Sequence, residues 1–394
     1  MLDAYIVGAV RTAGGRKNGR LSKVHPIDLG AEVVDALVAR TGVAVDEVDD
    51  VIFGCVSQVG AQSSNIARNV CISSVLGEGV PGTTVDRQCG SGQQAMHFAA
   101  QAVLSGTQDL VIAGGVESMS QVPIGANIVD GYKMEHGLPY GKKISERYPG
   151  VQFNQFAGAE MLAKKYELTS DELNEFALDS HVKAKRAVEE GRFDKEIVAV
   201  EVELEDGSLE QHTQDEGIRM DATLGAIAGL EPMQEGGVLT AANASQICDG
   251  ASAVMIANGA TCKRLGLKPM ARIVAMSVIG SDPVIMLEGP IPATKKVLER
   301  AGMKLADIDL FEVNEAFGSV PLSWVKALGA DIDKLNVNGG AQALGHPLGG
   351  TGAKLMTTFV HELHRTGKRY GLLAICEGGG TANGTIVERV DEVA

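Results

Sequence analysis

The sequence predicts an α/β fold made of two similar halves with a dissimilar segment set into the chain, and three observations carry that expectation. Short apolar runs alternate with longer amphipathic ones, one such pattern occurs twice, and the 394 residues combine 45% hydrophobic content with 49 glycines and only 4% aromatics. Alternation of this kind marks strands crossing to helices, in a sheet with much parallel pairing. A glycine-rich, aromatic-poor interior points to layers of Val, Ile, Leu and Ala packed at close backbone approach. The length exceeds one ordinary core, so two or three domains, or one large fold with an insertion, are expected.

Taken in order, AYIVGAV opens as a strand, a helix covers 28–40 and closes at Gly42, and DDVIFGCV is the next strand. A nearly all-apolar helix from about Ser91 to Ser105 then leads to the strand DLVIAGG. The stretch ALVARTGVAVDEVDDVIFGCV, from Ala36, is matched by KVLERAGMKLADIDLFEVNEA, from Lys296. Each has a helix closing at glycine (Gly42 or Gly302), a short linker, a paired-acid turn and an apolar strand. TTVDRQCGSG, a helix and DLVIAGGVES are likewise echoed by LNVNGGAQALGHP, a helix and YGLLAICEGGG. Two copies of one unit stack or pair, and a site then forms where they meet; Cys89 and His346 occupy corresponding loops. From about Ser118 to Ala244 the chain reads as an insertion. It holds a Gly- and Pro-punctuated stretch and a charged helix that starts at Thr169 or Ser170, with acids at Asp171 and Glu172, and ends at Gly191.

The formal charge of -15 disfavours a nucleic-acid or anionic-membrane surface but leaves room for a local basic pocket around one small anionic cofactor. Arg11, Arg16, Lys17 and Arg20 fall in the first twenty residues, which read as a strand and a basic turn and not as a signal peptide. No run approaches the roughly eighteen consecutive apolar residues of a membrane span. The six cysteines show no CxxC spacing, so neither a zinc site nor a disulfide framework is expected. A cytoplasmic protein with reduced thiols follows.

Four strand-end loops carry reactive groups. Cys89 sits where a strand ends and an apolar helix begins. The positive end of the helix dipole there is expected to lower the thiol pKa. Gly90 and Gly92 would let a carbonyl approach backbone amides, as in an oxyanion hole; the competing reading is a buried structural cysteine. His346 lies between glycines and before Pro347, and an imidazole is suited to take a thiol proton. Cys376 follows the strand GLLAI, and NEAF, from Asn314, follows DLFEV. Sheets of this class collect catalytic groups beyond their strand ends.

The motifs QCGSG, NEAF, GGAQALGHPLGGTG and CEGGG, in this order and spacing along essentially the whole chain, resemble those of the thiolase family. The resemblance implies a layered αβαβα core of duplicated halves, 1–118 with about 245–268 and then 269–394, and a loop domain over 119–244 that holds coenzyme A. It implies that Cys89 is acylated while His346 activates it, and that Cys376 moves a proton on or off the acetyl-CoA carbon. Asn314 would position a water that forms one oxyanion hole with His346, and the backbone amides of Cys89 and Gly378 would form the other. Ping-pong kinetics follow, with coenzyme A as cosubstrate, acyl-CoA as partner, no metal or permanent cofactor, and a homodimer or homotetramer. TAANASQICDGASA resembles the family's pantetheine-contacting segment, with Ser245 as the contact, and Arg219 falls where the family places an arginine near the adenine. Ser245 as a helix cap and Arg219 as a surface charge are the plainer alternatives.

Departures bear on substrate. Asn154, Gln155 and Phe156 replace the pattern typical of short-chain members, Gln234 stands where many relatives have an aromatic residue, and the last motif runs CEGGGTANGTI. DRQC and the NQF segment resemble degradative thiolases, some acting on bulky acyl chains, which favours β-oxidation-type cleavage over acetoacetyl-CoA synthesis. A noncatalytic acyl-CoA-binding or scaffold protein of the same fold is one competing class. A ketoacyl synthase-like enzyme is another, and would show a second active-site histidine where this chain has NEAF.

Overall fold

The computed structural model describes residues 3–393. In the first half the strands are β1 (Ala4–Thr12), β2 (Asp50–Gly54), β3 (Gly82–Val85), β4 (Leu110–Ser118) and β5 (Cys248–Asn258). In the second they are β6 (Ala271–Gly280), β7 (Leu310–Val313), β8 (Tyr370–Glu377) and β9 (Thr381–Arg389). Among the described residues they form an 11-stranded sheet along the path β7-β8-β9-β6-β1-β5-β4-β2-β3, with two short strands attached beside it. The order β2-β4-β5-β1 in the first half is repeated as β7-β8-β9-β6 in the second. Even the outer β3 has a trace of a counterpart, a single bridge from Phe311 to Leu335.

Strand direction departs from the sequence expectation. Parallel pairing joins β2 to β3 and β4, and β7 to β8, whereas β5 and β9 run antiparallel to both their neighbours. The cause is the connection before each: β8 returns directly into β9 through Gly378, Gly379 and Gly380, and at the matching place in the first half the long insertion lies between β4 and β5. Hydrophobic periodicity reports which residues are buried, not which way a strand runs.

The two half-sheets are joined at β1 and β6 by two residue pairs, Tyr5 with Arg272 and Ile6 with Ala271, and fold over a shared layer of helices. That layer holds α3 (Ser91–Ser105) and α10 (Thr351–Thr366). Its core takes Ile52 and Ile256 from one half-sheet, Leu373 and Ile375 from the other, and Met96, Met356 and Phe359 from the helices. Alternate strand residues point to opposite faces. Val51 and Phe53 therefore pack outward against α1 (Pro26–Thr41) and α2 (Ile66–Ser73). Leu372 and Ala374 pack outward against α8 (Pro290–Ala301) and α9 (Ser319–Leu328). The stack is therefore αβαβα.

The expected helices are present: α1 ends at Gly42 with φ 68, and α3 ends at Gly106 with φ 75. In the insertion, α4 (Ala126–Lys133), α5 (Lys142–Arg147), α6 (Gln155–Lys165) and α7 (Ser170–Glu189) follow one another, and α7 begins with a capping box between Thr169 and Glu172. Among the described residues no helix is long and apolar enough to cross a membrane.

One contact positions the site. A Cβ on Gly92 would lie 2.8 Å from the carbonyl oxygen of Gly349 and 3.1 Å from Ala353 N, and one on Gly352 would strike the backbone of Gln93. The first turns of α3 and α10 thus meet backbone to backbone, which sets Cys89, just before α3, beside the loop of His346, just before α10.

Candidate active site

Cys89 follows Gln88, whose φ of 50 makes a tight turn. Ser91 Oγ locks that turn by accepting from Arg87 N at 2.9 Å and donating to the Gln88 carbonyl at 2.6 Å. Cys376 lies near the end of β8 and is fully buried, close enough to Cys89 that the Cys89 sulfur adds to the burial that disfavours ionisation of the Cys376 thiol. Asn314, one residue beyond β7, donates from its backbone N to the Ala374 carbonyl at 3.1 Å. Its Nδ2 lies 3.4 Å from His346 Nε2. Cys89 and Gly378 line a cavity of about 700 Å³, and His346 and Ser245 line a narrower one of about 110 Å³; Gln155 and Leu348 border both.

Burial sets the charge state of these groups. It pushes the Cys89 thiol up to about 12, and nearby Glu377 adds to the shift. The backbone N–H groups of Cys89 and Gly378 act in the opposite sense by hydrogen bonding toward the sulfur. The expected lowering by the helix dipole is therefore overruled, because desolvation of a thiolate in a closed site outweighs a partial charge. Gly90 and Gly92 also admit close neighbours: a Cβ on the first would strike Glu377 and one on the second the α10 turn. Burial, with Lys354 nearby, pulls the His346 imidazole down to about 3. The resting pair at neutral pH is thus neutral thiol and neutral imidazole.

The tautomer of that imidazole follows from its partners. Thr351 Oγ1 donates to the Pro347 carbonyl at 3.0 Å and sits 2.6 Å from His346 Nδ1. With its one proton committed, the hydroxyl accepts from Nδ1–H, which leaves Nε2 unprotonated, its lone pair facing the long contact from Asn314 Nδ2 at 3.4 Å and able to take a proton.

Residues 4–260 match the family described as "Thiolase, N-terminal domain" and residues 267–389 match "Thiolase, C-terminal domain". The chain belongs to the thiolase family. It is 49% identical over 392 residues to a steroid 3-ketoacyl-CoA thiolase of Mycobacterium tuberculosis, an alignment spanning 99% of this chain and 95% of that protein. A 3-ketoacyl-CoA thiolase of Psychrobacter cryohalolentis is 41% identical, with 98% of each chain covered. An acetyl-CoA acetyltransferase of Cupriavidus necator is 40% identical, with 99% and 100% covered. The crystal structure of the Bacillus anthracis acetyl-CoA acetyltransferase superposes with a TM-score of 0.91 at 37% identity, covering 99% of both chains.

In this thiolase the residues proposed from sequence for coenzyme A separate. Ser245 caps no helix; it donates from N to the Ala316 carbonyl at 2.9 Å and faces the narrow cavity beside Phe317. Phe156 stands edge-on to Phe317 at 5.4 Å, and Asn154 caps α6. Arg219 is exposed on the inserted segment and donates from N to His181 Nδ1 at 3.2 Å. Gln234 lines a different surface cavity, with Glu160 and Lys164.

Several supporting residues had no signal in the sequence pattern. Glu117, fully buried at the end of β4, accepts from Val56 N, Ser57 N and Gln62 Nε2, and from Gly349 N in the loop after His346. The Gln246 carbonyl accepts from His346 N at 3.1 Å, and its side chain donates to the Gly217 and Gln342 carbonyls. Lys354 donates to the Leu344 and Gly345 carbonyls just ahead of His346 and lies 3.7 Å from Asp215, which Arg11 grips with two hydrogen bonds. The partners of Glu117, Gln246 and Asp215 lie far apart along the chain, so no local spacing reveals them.

Proposed function

We propose that this thiolase is a degradative, cytoplasmic homo-oligomer that cleaves 3-ketoacyl-CoA thioesters with coenzyme A, and that its acyl group is bulky. What carries the reading is the opening of Cys89 and Gly378 onto the 700 Å³ cavity, with Cys376 close to Cys89, and Asn314 3.4 Å from His346, which lines the adjoining narrow cavity. A volume in the range of whole ligand pockets far exceeds what an acetyl group needs. Its walls include Ile128, Tyr140, Ile144, Tyr148, Phe153 and Met286, an apolar and aromatic lining contributed mostly by the insertion. The relative of 49% identity named for steroid 3-ketoacyl-CoA supports the same substrate class.

In the mechanism, His346 Nε2 takes the Cys89 proton as the sulfur attacks the 3-keto carbon. A thiol with a raised pKa and a neutral base with a free lone pair make this a concerted transfer, without a standing thiolate. The N–H groups of Cys89 and Gly378 stabilise the oxyanion. The C2–C3 bond then breaks, and its electron pair forms the acetyl-CoA enolate, whose oxygen faces His346 and a water held by Asn314. The Cys376 thiol, kept protonated by burial, gives its proton to C2. After acetyl-CoA departs, the thiol of a second coenzyme A gives its proton to the Cys376 thiolate as its sulfur attacks the acyl-Cys89 thioester. The C–S bond to Cys89 breaks as His346 returns its proton to that sulfur, which releases the shortened acyl-CoA and restores both thiols and the neutral imidazole. Segment 119–244 acts as the loop domain for coenzyme A, with Ser245 on the pantetheine and Arg219 near the adenine.

The test is coenzyme A-dependent cleavage of a 3-ketoacyl-CoA panel, from acetoacetyl through medium chain to ring-bearing acyl groups, followed by loss of enolate absorbance. Preference for bulky members supports the proposal. Preference for acetoacetyl-CoA favours the second reading, synthesis of acetoacetyl-CoA, to which the two acetyl-CoA acetyltransferase relatives point. No turnover on any member would revive a noncatalytic acyl-CoA-binding role.

A further inference from the structure

Glu377 lies between Cys376 and Gly378, in the motif where this chain departs from the common family pattern, and the mechanism above does not use it. It is fully buried. Strand alternation turns its side chain away from Cys376 and into the middle helical layer, where the carboxyl fills the space in which a Cβ of Gly90 would sit. It thereby bridges the strand end carrying Cys376 and Gly378 to the turn carrying Cys89.

Its surroundings are known on every side. From β9, Thr381 Oγ1 donates to Oε2 at 2.6 Å. The Asn383 amide, oriented so that both its ends are satisfied, donates to Oε1 at 3.2 Å and accepts from Gln94 N of α3 at 3.3 Å. Arg87, in the turn before Cys89, is the cation whose charge acts on it. The charge of Glu377 acts on both thiols, and Glu117 also acts on Cys89.

We propose that Glu377 is a positioning residue that sets the charge beside both thiols, so that the site works with this carboxyl protonated and slows as it ionises. Its ionised form places a negative charge next to two sulfurs that must carry developing negative charge, Cys89 during attack and Cys376 after proton donation. Burial, opposed by Thr381 and Arg87, lifts the carboxyl to about 8, so the change falls within the working range of an enzyme assay.

The inference rests on Cys89 as nucleophile, so the experiment reads that thiol directly. Full-length wild type and Glu377→Gln are alkylated with iodoacetamide from about pH 6.5 to about pH 9.5, and modification of Cys89 is followed by peptide mass spectrometry. The variant-to-wild-type rate ratio is expected to rise about tenfold across that range, equivalent to one unit in the thiol pKa. A flat ratio overturns the proposal. In Thr381→Val, loss of the hydroxyl donor disfavours the ionised carboxyl, so the flattening of the rise in Cys89 alkylation rate that accompanies its ionisation is expected to move to higher pH; an unmoved flattening also overturns the proposal, even if Glu377→Gln fails to fold. Because alkylation needs no acyl-CoA, a protein inactive on the whole 3-ketoacyl-CoA panel would sink the proposed function and still report on Glu377.

Discussion

Replacing Thr351 with valine removes one hydroxyl at almost constant shape, and the structure allows its effect to be worked out. The hydroxyl accepts from His346 Nδ1 at 2.6 Å while donating to the Pro347 carbonyl at 3.0 Å. In Thr351→Val the Nδ1–H loses its acceptor in a site where His346 is 3% exposed, and a buried orphan donor costs about 1–3 kcal/mol. The imidazole escapes that penalty by moving its proton to Nε2, but this tautomer cannot accept the Cys89 proton. Where the balance then stands about 1.4–2.7 kcal/mol on the side of the Nε2–H tautomer, the base-competent fraction is about one-tenth to one-hundredth. The rate of Cys89 acylation by a 3-ketoacyl-CoA, measured in a single turnover by intact-protein mass spectrometry, should fall by that factor. Thr351→Ser should recover most of the loss. A folded Thr351→Val that acylates at the wild-type rate would refute the tautomer reasoning, and with it the role of Nε2 as the base.

Cys89→Ser should abolish acyl-enzyme formation with the fold intact, and acyl adducts persisting on another residue would show that the nucleophile lies elsewhere. Cys376→Ser should slow proton exchange at the acetyl-CoA methyl group more than it slows acylation of Cys89, read by deuterium uptake. Ile144→Trp fills part of the large cavity and should lower the kcat/KM ratio of a ring-bearing substrate to acetoacetyl-CoA by about tenfold, the effect of roughly 1.4 kcal/mol of steric exclusion. Glu388 accepts from Arg272 and Arg369 at 2.7 Å each, and these hydrogen bonds and charges hold its carboxyl below the usual range. A depressed folded pKa contributes stability above the unfolded value, and that stability is lost as the pH falls through the folded value. Glu388→Gln should therefore lower the thermal midpoint at neutral pH, with the gap to wild type closing below about pH 4.

Much of the fold was legible along the chain because burial leaves a periodic trace. The α3 helix runs Ser91–Ser105, as its apolar run indicated, and the capping box of α7 sits at Thr169 and Glu172. The repeated pattern from Ala36 and Lys296 corresponds to α1 and β2 in one half and to α8 and β7 in the other. Strand direction was not legible, because β5 and β9 are turned by the connections before them and apolar alternation is the same in either direction.

The candidate site divides in the same way. Residue types at fixed spacing pointed to Cys89, Asn314, His346 and Cys376 in loops at strand ends; Asn314 does lie just past β7, whereas Cys376 is still within β8 and His346 follows a short helix, Ala341–Leu344. The charge states depend on what surrounds each group in space. A helix N-terminus suggested an acidic thiol, but enclosure between two half-sheets, with Glu377 alongside, raises the Cys89 pKa instead. Glu117 ties the Gly349 loop to Val56 across distant segments, while Thr351 and Lys354, only five to ten residues from the groups they hold, act through a fold of the loop that residue spacing does not disclose. Short-range periodicity is written by local burial and is readable one residue at a time, whereas desolvation and hydrogen bonding within the site exist only after the two halves have closed over α3 and α10.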